Sequence, residues 1–256
     1  MSEKKENIVT RAIGLIDLTN LNDDCTPHDI EELCKQAMTP AGPVAAVCVW
    51  PRFVAQSKRL LGDGPIKVAT VVNFPAGDED VRATMSETKD CVANGADEID
   101  LVMPYRAFAA GNLDLARSMI HTIRATTDGS ALLKVILETG ELRDPALIAG
   151  ASKLALEEGA DFIKTSTGKV AVNATEEAAK IMLEAIRDHG DRTRGFKPAG
   201  GVRTQEDAAA YLKIAADIMG PDWANKETFR FGASGLLSNL LARLDLSDSD
   251  GADADY

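Results

Sequence analysis

The chain has 256 residues, of which 45% are hydrophobic and 27% charged, so it can bury a sizeable core and is too apolar for compositional disorder. Its 28 lysines and arginines stand against 40 aspartates and glutamates, a net charge of −12. That balance argues against nucleic acid or an anionic membrane surface as the main partner, while leaving room for a small anion in a locally basic site.

The opening stretch, MSEKKENIVTRAIGL, mixes both charge signs and has no apolar h-region, so it does not read as a secretory signal. No later apolar run approaches the roughly 20 residues that span a bilayer. A cytoplasmic protein is expected. Cys25, Cys34, Cys48 and Cys91 form no C-x-x-C pair, which fits reduced thiols better than a disulfide framework.

From there one pattern repeats. Short apolar, β-branched runs at 14–19, 44–50, 67–73, 98–103, 132–138, 161–165, 194–200 and 229–234 alternate with amphipathic stretches. Helix starts are signalled by Thr26-Pro27, Asp78, Asp144-Pro145 and Thr204, and helix stops by Gly95, Gly159, Gly190 and Gly220. Alternation of this kind predicts parallel strands with right-handed crossovers, and eight units are the count that closes a (β/α)8 TIM barrel. An open doubly wound sheet would call for a G-x-G-x-x-G turn, and the chain has neither that nor a P-loop. The expected organisation is one α/β barrel domain over 1–246 and a short, flexible acidic tail over 247–256.

In a barrel the chemistry gathers at the C-terminal ends of the strands. The polar residues set into the apolar runs are Asp17, Cys48, Asn73, Asp100, Lys134, Glu138, Lys164, Lys197 and Ser234. Acids and lysines on converging strands must face one another, because an unpaired buried charge is costly. A lysine that is buried beside another cation has a lowered pKa, and its neutral amine is the nucleophile that forms an imine with a carbonyl. Lys134, Lys164 and Lys197 are all candidates for that amine, with Asp100 as a proton relay or counter-charge. Asp17 reads equally well as a strand-end residue bonded to backbone. His28, His121 and His189 read as solvated helix residues, so no metal site and no cofactor are expected. Gly200-Gly201, together with Gly232-Ala233-Ser234-Gly235 opening a helix and Lys169 in TSTGK, points to a phosphate site, the place where barrels often hold one.

The segments LIDLTNLNDD, GADEIDLVMPYRA, LLKVILETGEL, ADFIKTSTGKVAVNAT and GFKPAGGVRT resemble the motifs of the deoxyribose-phosphate aldolases, in the family's order and over nearly the whole chain. The resemblance implies a metal-free barrel that reversibly cleaves 2-deoxy-D-ribose 5-phosphate to D-glyceraldehyde 3-phosphate and acetaldehyde, in deoxyribonucleoside catabolism. It implies Lys164 as the imine former, Lys197 as the cation beside it and Asp100 as the relay acid, with the sugar breaking at C3–C4. Lys169, Gly200, Gly201, Gly232 and Ser234 would hold the phosphate, with Thr167 beside them, while Asp17, Cys48 and Lys134 would line the pocket. Tyr256 stands where relatives carry a tyrosine that visits the active site. Trp50 and Gly235 depart from the family, which usually has Tyr and a second Ser there. The partners implied are phosphosugar and aldehyde substrates, and relatives suggest a monomer or homodimer. A transaldolase-type enzyme and a non-catalytic phosphosugar-binding barrel are the alternative readings.

Overall fold

The computed structural model describes residues 2–252, with side chains over 8–244. Eight parallel strands form one sheet: β1 (Ile16–Asn20), β2 (Ala46–Val49), β3 (Lys67–Val72), β4 (Glu98–Val102), β5 (Leu132–Ile136), β6 (Phe162–Lys164), β7 (Gly195–Lys197) and β8 (Phe231–Ala233). From β2 to β7 each pairs with its predecessor in sequence, and β8 pairs with β1. Parallel bridges from Phe196 to Phe229 and from Ala199 to Gly232 join β7 to β8 and complete the ring. All eight expected strands are present, and the barrel is the expected one.

Alternation along the strands sorts the side chains into two layers. Val47, Val68, Ile99, Leu101, Leu133, Val135 and Ile163 pack into the main core under the helices. Ala46, Cys48, Ala69 and Val71 form a separate cluster with Leu21. Small inward residues leave the interior free for long side chains from other strands. Gly195 is an instance: a Cβ there would meet the Phe162 ring at 2.3 Å.

The helices start largely where the sequence places them. Thr26 and Thr204 each form a capping box, with Asp29 and Asp207 respectively, and Asp144 caps the helix Pro145–Glu157; caps of this kind stabilise a helix by ~1 kcal/mol each. The start expected at Asp78 lies at Asp80, whose carboxylate accepts from the Ala83 N–H at the head of the helix Val81–Ala93. Asp78 is otherwise engaged, because the Asn73 side chain binds both its N–H (3.0 Å) and its carbonyl (2.9 Å). Gly190 ends its helix in the left-handed conformation (φ 87°), as a C-terminal glycine should. The last helix runs Leu236–Ala252, so the expected boundary at 246 falls inside it. Tyr256 lies outside the described residues. No helix among the described residues is long and apolar enough to cross a membrane.

Candidate active site

Five strands and the residue before β8 send charged side chains into the barrel. From β4, Asp100 takes three lysines at once. Its Oδ2 accepts from Lys164 Nζ (2.7 Å) on β6 and Lys197 Nζ (2.7 Å) on β7, and its Oδ1 accepts from Lys134 Nζ (2.8 Å) on β5. From β1, Asp17 binds Lys197 through Oδ2 (2.5 Å) and Arg230 through Oδ1 (2.7 Å). Glu98 binds Arg230 (2.8 Å) and Lys134 (2.6 Å). Register explains the convergence: Asp100 lies opposite Lys134 across β4 and β5, and Lys164 lies opposite Lys197 across β6 and β7. All of these groups are buried, so each depends on its partners to offset desolvation.

The three lysines, equivalent in sequence, differ in place. Lys134 touches carboxylates of Asp17, Glu98 and Asp100, and Lys197 those of Asp17 and Asp100, whereas Lys164 touches Asp100 alone. Lys164 is also the one of the three that lines the open cavity above the barrel, about 830 Å³ in volume. Burial, reinforced by the Lys197 charge, outweighs Asp100 and lowers the Lys164 pKa. Burial also opposes the charge on Lys197, but there Asp100 and Asp17 win and raise its pKa. Asp100 is desolvated as well, yet Lys134, Lys164 and Lys197 together hold its carboxyl well below the usual carboxylate range. The site thus combines an amine of lowered pKa facing the cavity with a fixed ammonium and a fixed carboxylate beneath it.

The same cavity is lined by Thr167, Lys169, Gly200, Gly201, Gly232 and Ser234, the whole set expected to hold phosphate. Gly200 and Gly201 have φ of 77° and 87°, which favours glycine. A Cβ on Gly232 would meet Ala199 Cβ at 2.8 Å and Lys197 Cε at 3.1 Å, so its absence lets the lysine stem pass. Thr167 Oγ1 donates to Glu138 (2.6 Å) and accepts from the Lys169 N–H (3.0 Å). Lys169 reaches across the mouth to the Leu21 carbonyl (2.9 Å) and the Asp23 carboxylate (3.4 Å). Trp50 Nε1 donates to the Asn22 carbonyl (3.0 Å), bracing the same rim. At Gly235 nothing lies within 4 Å of where a Cβ would be.

Some expectations need correcting. Asp17, Cys48 and Lys134 do not line the cavity; they are fully buried under it. Asn73 and Glu138 do not continue their strands. Both turn into the left-handed region (φ 55° and 57°), where Asn73 ties the 73–78 loop and Glu138 receives Thr167. Glu98 and Arg230 were not singled out by the sequence, since each stands at the edge of an apolar run like a solvated end residue. The available signal was spacing: each lies two positions before an interior residue, Asp100 and Gly232, and so shares its face. The three histidines lie on helices with exposed side chains, and the four thiols are free and buried. Among the described residues no three His, Cys, Asp or Glu are grouped to hold a metal ion.

A model of the DeoC/LacD family of aldolases matches residues 11–240. The chain is 58% identical over 230 residues to a deoxyribose-phosphate aldolase of Agrobacterium fabrum, covering 90% of this chain and 88% of that one. It is similar in structure to a protein from Toxoplasma gondii assigned as a deoxyribose-phosphate aldolase, with a TM-score of 0.87 and 27% identity over 98% of this chain and 99% of the other. A protein from Coccidioides immitis with the same assignment superposes with a TM-score of 0.81 and 30% identity, over 93% of this chain and 87% of that one.

Proposed function

The chain belongs to the DeoC/LacD family of aldolases, and on that premise we propose that it cleaves 2-deoxy-D-ribose 5-phosphate reversibly to D-glyceraldehyde 3-phosphate and acetaldehyde through an imine on Lys164. The observation that carries this reading is the placement of Lys164, the one lysine of the buried cluster that opens to the cavity and has a single carboxylate partner.

The neutral Lys164 amine adds to C1 of the open-chain aldehyde, and water leaves to give a protonated imine. That imine draws the electron pair of the C2–C3 bond as the C3 hydroxyl loses its proton, releasing glyceraldehyde 3-phosphate and leaving an enamine. The bond is C2–C3 and not the C3–C4 bond expected above, because acetaldehyde carries off two carbons, C1 and C2. Protonation of the enamine at C2 and addition of water then free acetaldehyde and the amine. Asp100 is held as a carboxylate at rest, so Lys197 is the group that carries a proton, and Asp100, bonded to both amines, bridges it to Lys164 with the help of water. Phosphate is held by Lys169, the Gly200-Gly201 turn, Gly232 and Ser234 at the head of the last helix. Asp17, Cys48 and Lys134 act from below by holding the cluster. Tyr256 is assigned to enamine protonation on the resemblance alone.

A cytoplasmic location and a monomeric or homodimeric state complete the reading. Four buried free thiols support the first, and light scattering at 27.3 kDa or twice that would support the second. The decisive test is an assay of glyceraldehyde 3-phosphate release from deoxyribose 5-phosphate, with borohydride and acetaldehyde leaving an ethyl group on the Lys164 peptide. Release without an adduct, or an adduct on Lys197, would overturn the residue roles; binding without release would favour a non-catalytic barrel.

A further inference from the structure

The charges beneath Lys164 close on themselves. Glu98 binds Arg230 (2.8 Å), Arg230 binds Asp17 (2.7 Å), Asp17 binds Lys197 (2.5 Å), Lys197 binds Asp100 (2.7 Å), Asp100 binds Lys134 (2.8 Å), and Lys134 returns to Glu98 (2.6 Å). Three acids alternate with three bases, and each has an opposite charge on either side. The ring is therefore neutral before Lys164 is counted. Lys164 is a seventh group hung on Asp100 Oδ2, so a proton on its amine is the one charge the ring does not balance. Glu98 and Arg230 do not line the cavity above. Glu98, 1% exposed, borders a hollow at the opposite end of the barrel, and the Arg230 guanidinium lies over the Phe162 ring, 5.7 Å from its centre.

We propose that Glu98 and Arg230 are positioning residues that complete this neutral ring and so keep the Lys164 amine unprotonated for attack on the carbonyl. This rests on the reading of Lys164 as the imine former. Neither residue reaches the cavity above. Each acts through a neighbour, Arg230 by saturating Asp17 and Glu98 by saturating Lys134. The other groups that face Lys164 are Asp100 and Lys197 within the ring, Cys48 on β2 and Glu138 after β5. The Cys48 thiol is pushed up by burial and stays neutral, and Glu138, bonded by Thr167, is unchanged in every variant below, so differences among them report the ring.

Charge balance predicts shifts of opposite sign, which a purely structural role does not. Glu98→Gln leaves the ring one positive charge in excess and favours the neutral amine. Arg230→Gln leaves one negative charge in excess and favours the ammonium. The double variant Glu98→Gln/Arg230→Gln is neutral again, and Arg230→Lys never departs from neutrality. The rate at which acetaldehyde is trapped on Lys164 by cyanoborohydride, read by peptide mass between pH 5 and 10, reports the amine's titration. The midpoint should fall by about one pH unit in Glu98→Gln and rise by about one in Arg230→Gln, the size expected for a single charge on the order of 10 Å away at an effective dielectric of about 20. It should return to within about 0.3 unit of the native value in the double variant and in Arg230→Lys. If one single variant fails to fold, the remaining single and the double still read the sign. Equal midpoints in every variant, shifts in the same direction, or a double displaced further than either single would overturn the proposal. A native chain that forms no Lys164 adduct at any pH would instead remove the reading on which it rests.

Discussion

Lys197→Met isolates the cation beside the proposed nucleophile. Methionine keeps an unbranched stem along Gly232, where the lysine Cε passes, and deletes the charge. Both amines lie 2.7 Å from the same oxygen of Asp100, so they are at most twice that distance apart. Two unit charges about 5 Å apart at an effective dielectric of about 20 repel by about 3 kcal/mol, or about two pH units. Losing Lys197 also leaves Asp17 and Asp100 each one cation short, Asp17 keeping Arg230 and Asp100 keeping Lys134 and Lys164, which pushes the Lys164 pKa the same way. The acidic limb of kcat/KM, which reports the free enzyme, should therefore move up by about two pH units, with kcat/KM on that limb down by about 100-fold from protonation alone. The broken buried pairs should also lower stability by about 3 kcal/mol, to be checked by urea unfolding so that assays are run on folded protein. A folded, active variant whose acidic limb stays at the native pH would refute the role given to Lys197.

The pKa of Asp17 is held far below the carboxylate range: burial opposes its charge, but Lys197, Arg230 and Lys134 prevail. A lowered carboxylate pKa contributes stability that is complete above the unfolded value near ~4 and is lost as pH falls below it. The native urea midpoint should drop steeply below about pH 4, and Asp17→Asn should be less stable at pH 7 and show a shallower acid drop; a flat native profile to pH 2 would contradict this. If phosphate sits against Gly200 and Gly201, unphosphorylated deoxyribose should be a much poorer substrate. Gly201→Asp should then raise KM on the order of 100-fold through like-charge repulsion, and Gly201→Asn, with the same φ of 87° to satisfy, should raise it far less. The open space at Gly235 accepts a hydroxyl, so Gly235→Ser should lower KM by roughly 10-fold, the lower end for a hydrogen bond to a charged group. Deleting Tyr256 should lower turnover and slow deuterium exchange into the acetaldehyde methyl group with little change in Tm, and equal values for truncated and full-length protein would make the residue dispensable.

Eight strands, their order and most helix starts were legible in the sequence, because β-branched runs, capping residues and terminal glycines act within a few positions of themselves. The polar set was legible for the same reason: Asp17, Asp100, Lys134, Lys164 and Lys197 interrupt apolar runs that the barrel interior otherwise explains. Asn73 and Glu138 misled because a strand's end depends on where its neighbours stop pairing, and both leave the ladder in a left-handed turn. Which lysine faces the cavity is also beyond local pattern, since all three sit on strands with the same alternation. Only closure of the barrel brings Lys164 and Lys197 across to one oxygen of Asp100, and carries Arg230, just before the last strand, to Asp17 on the first, 213 residues away. Those contacts lie between strands distant in sequence, and the desolvation that gives them their chemical effect exists only once the interior has excluded water.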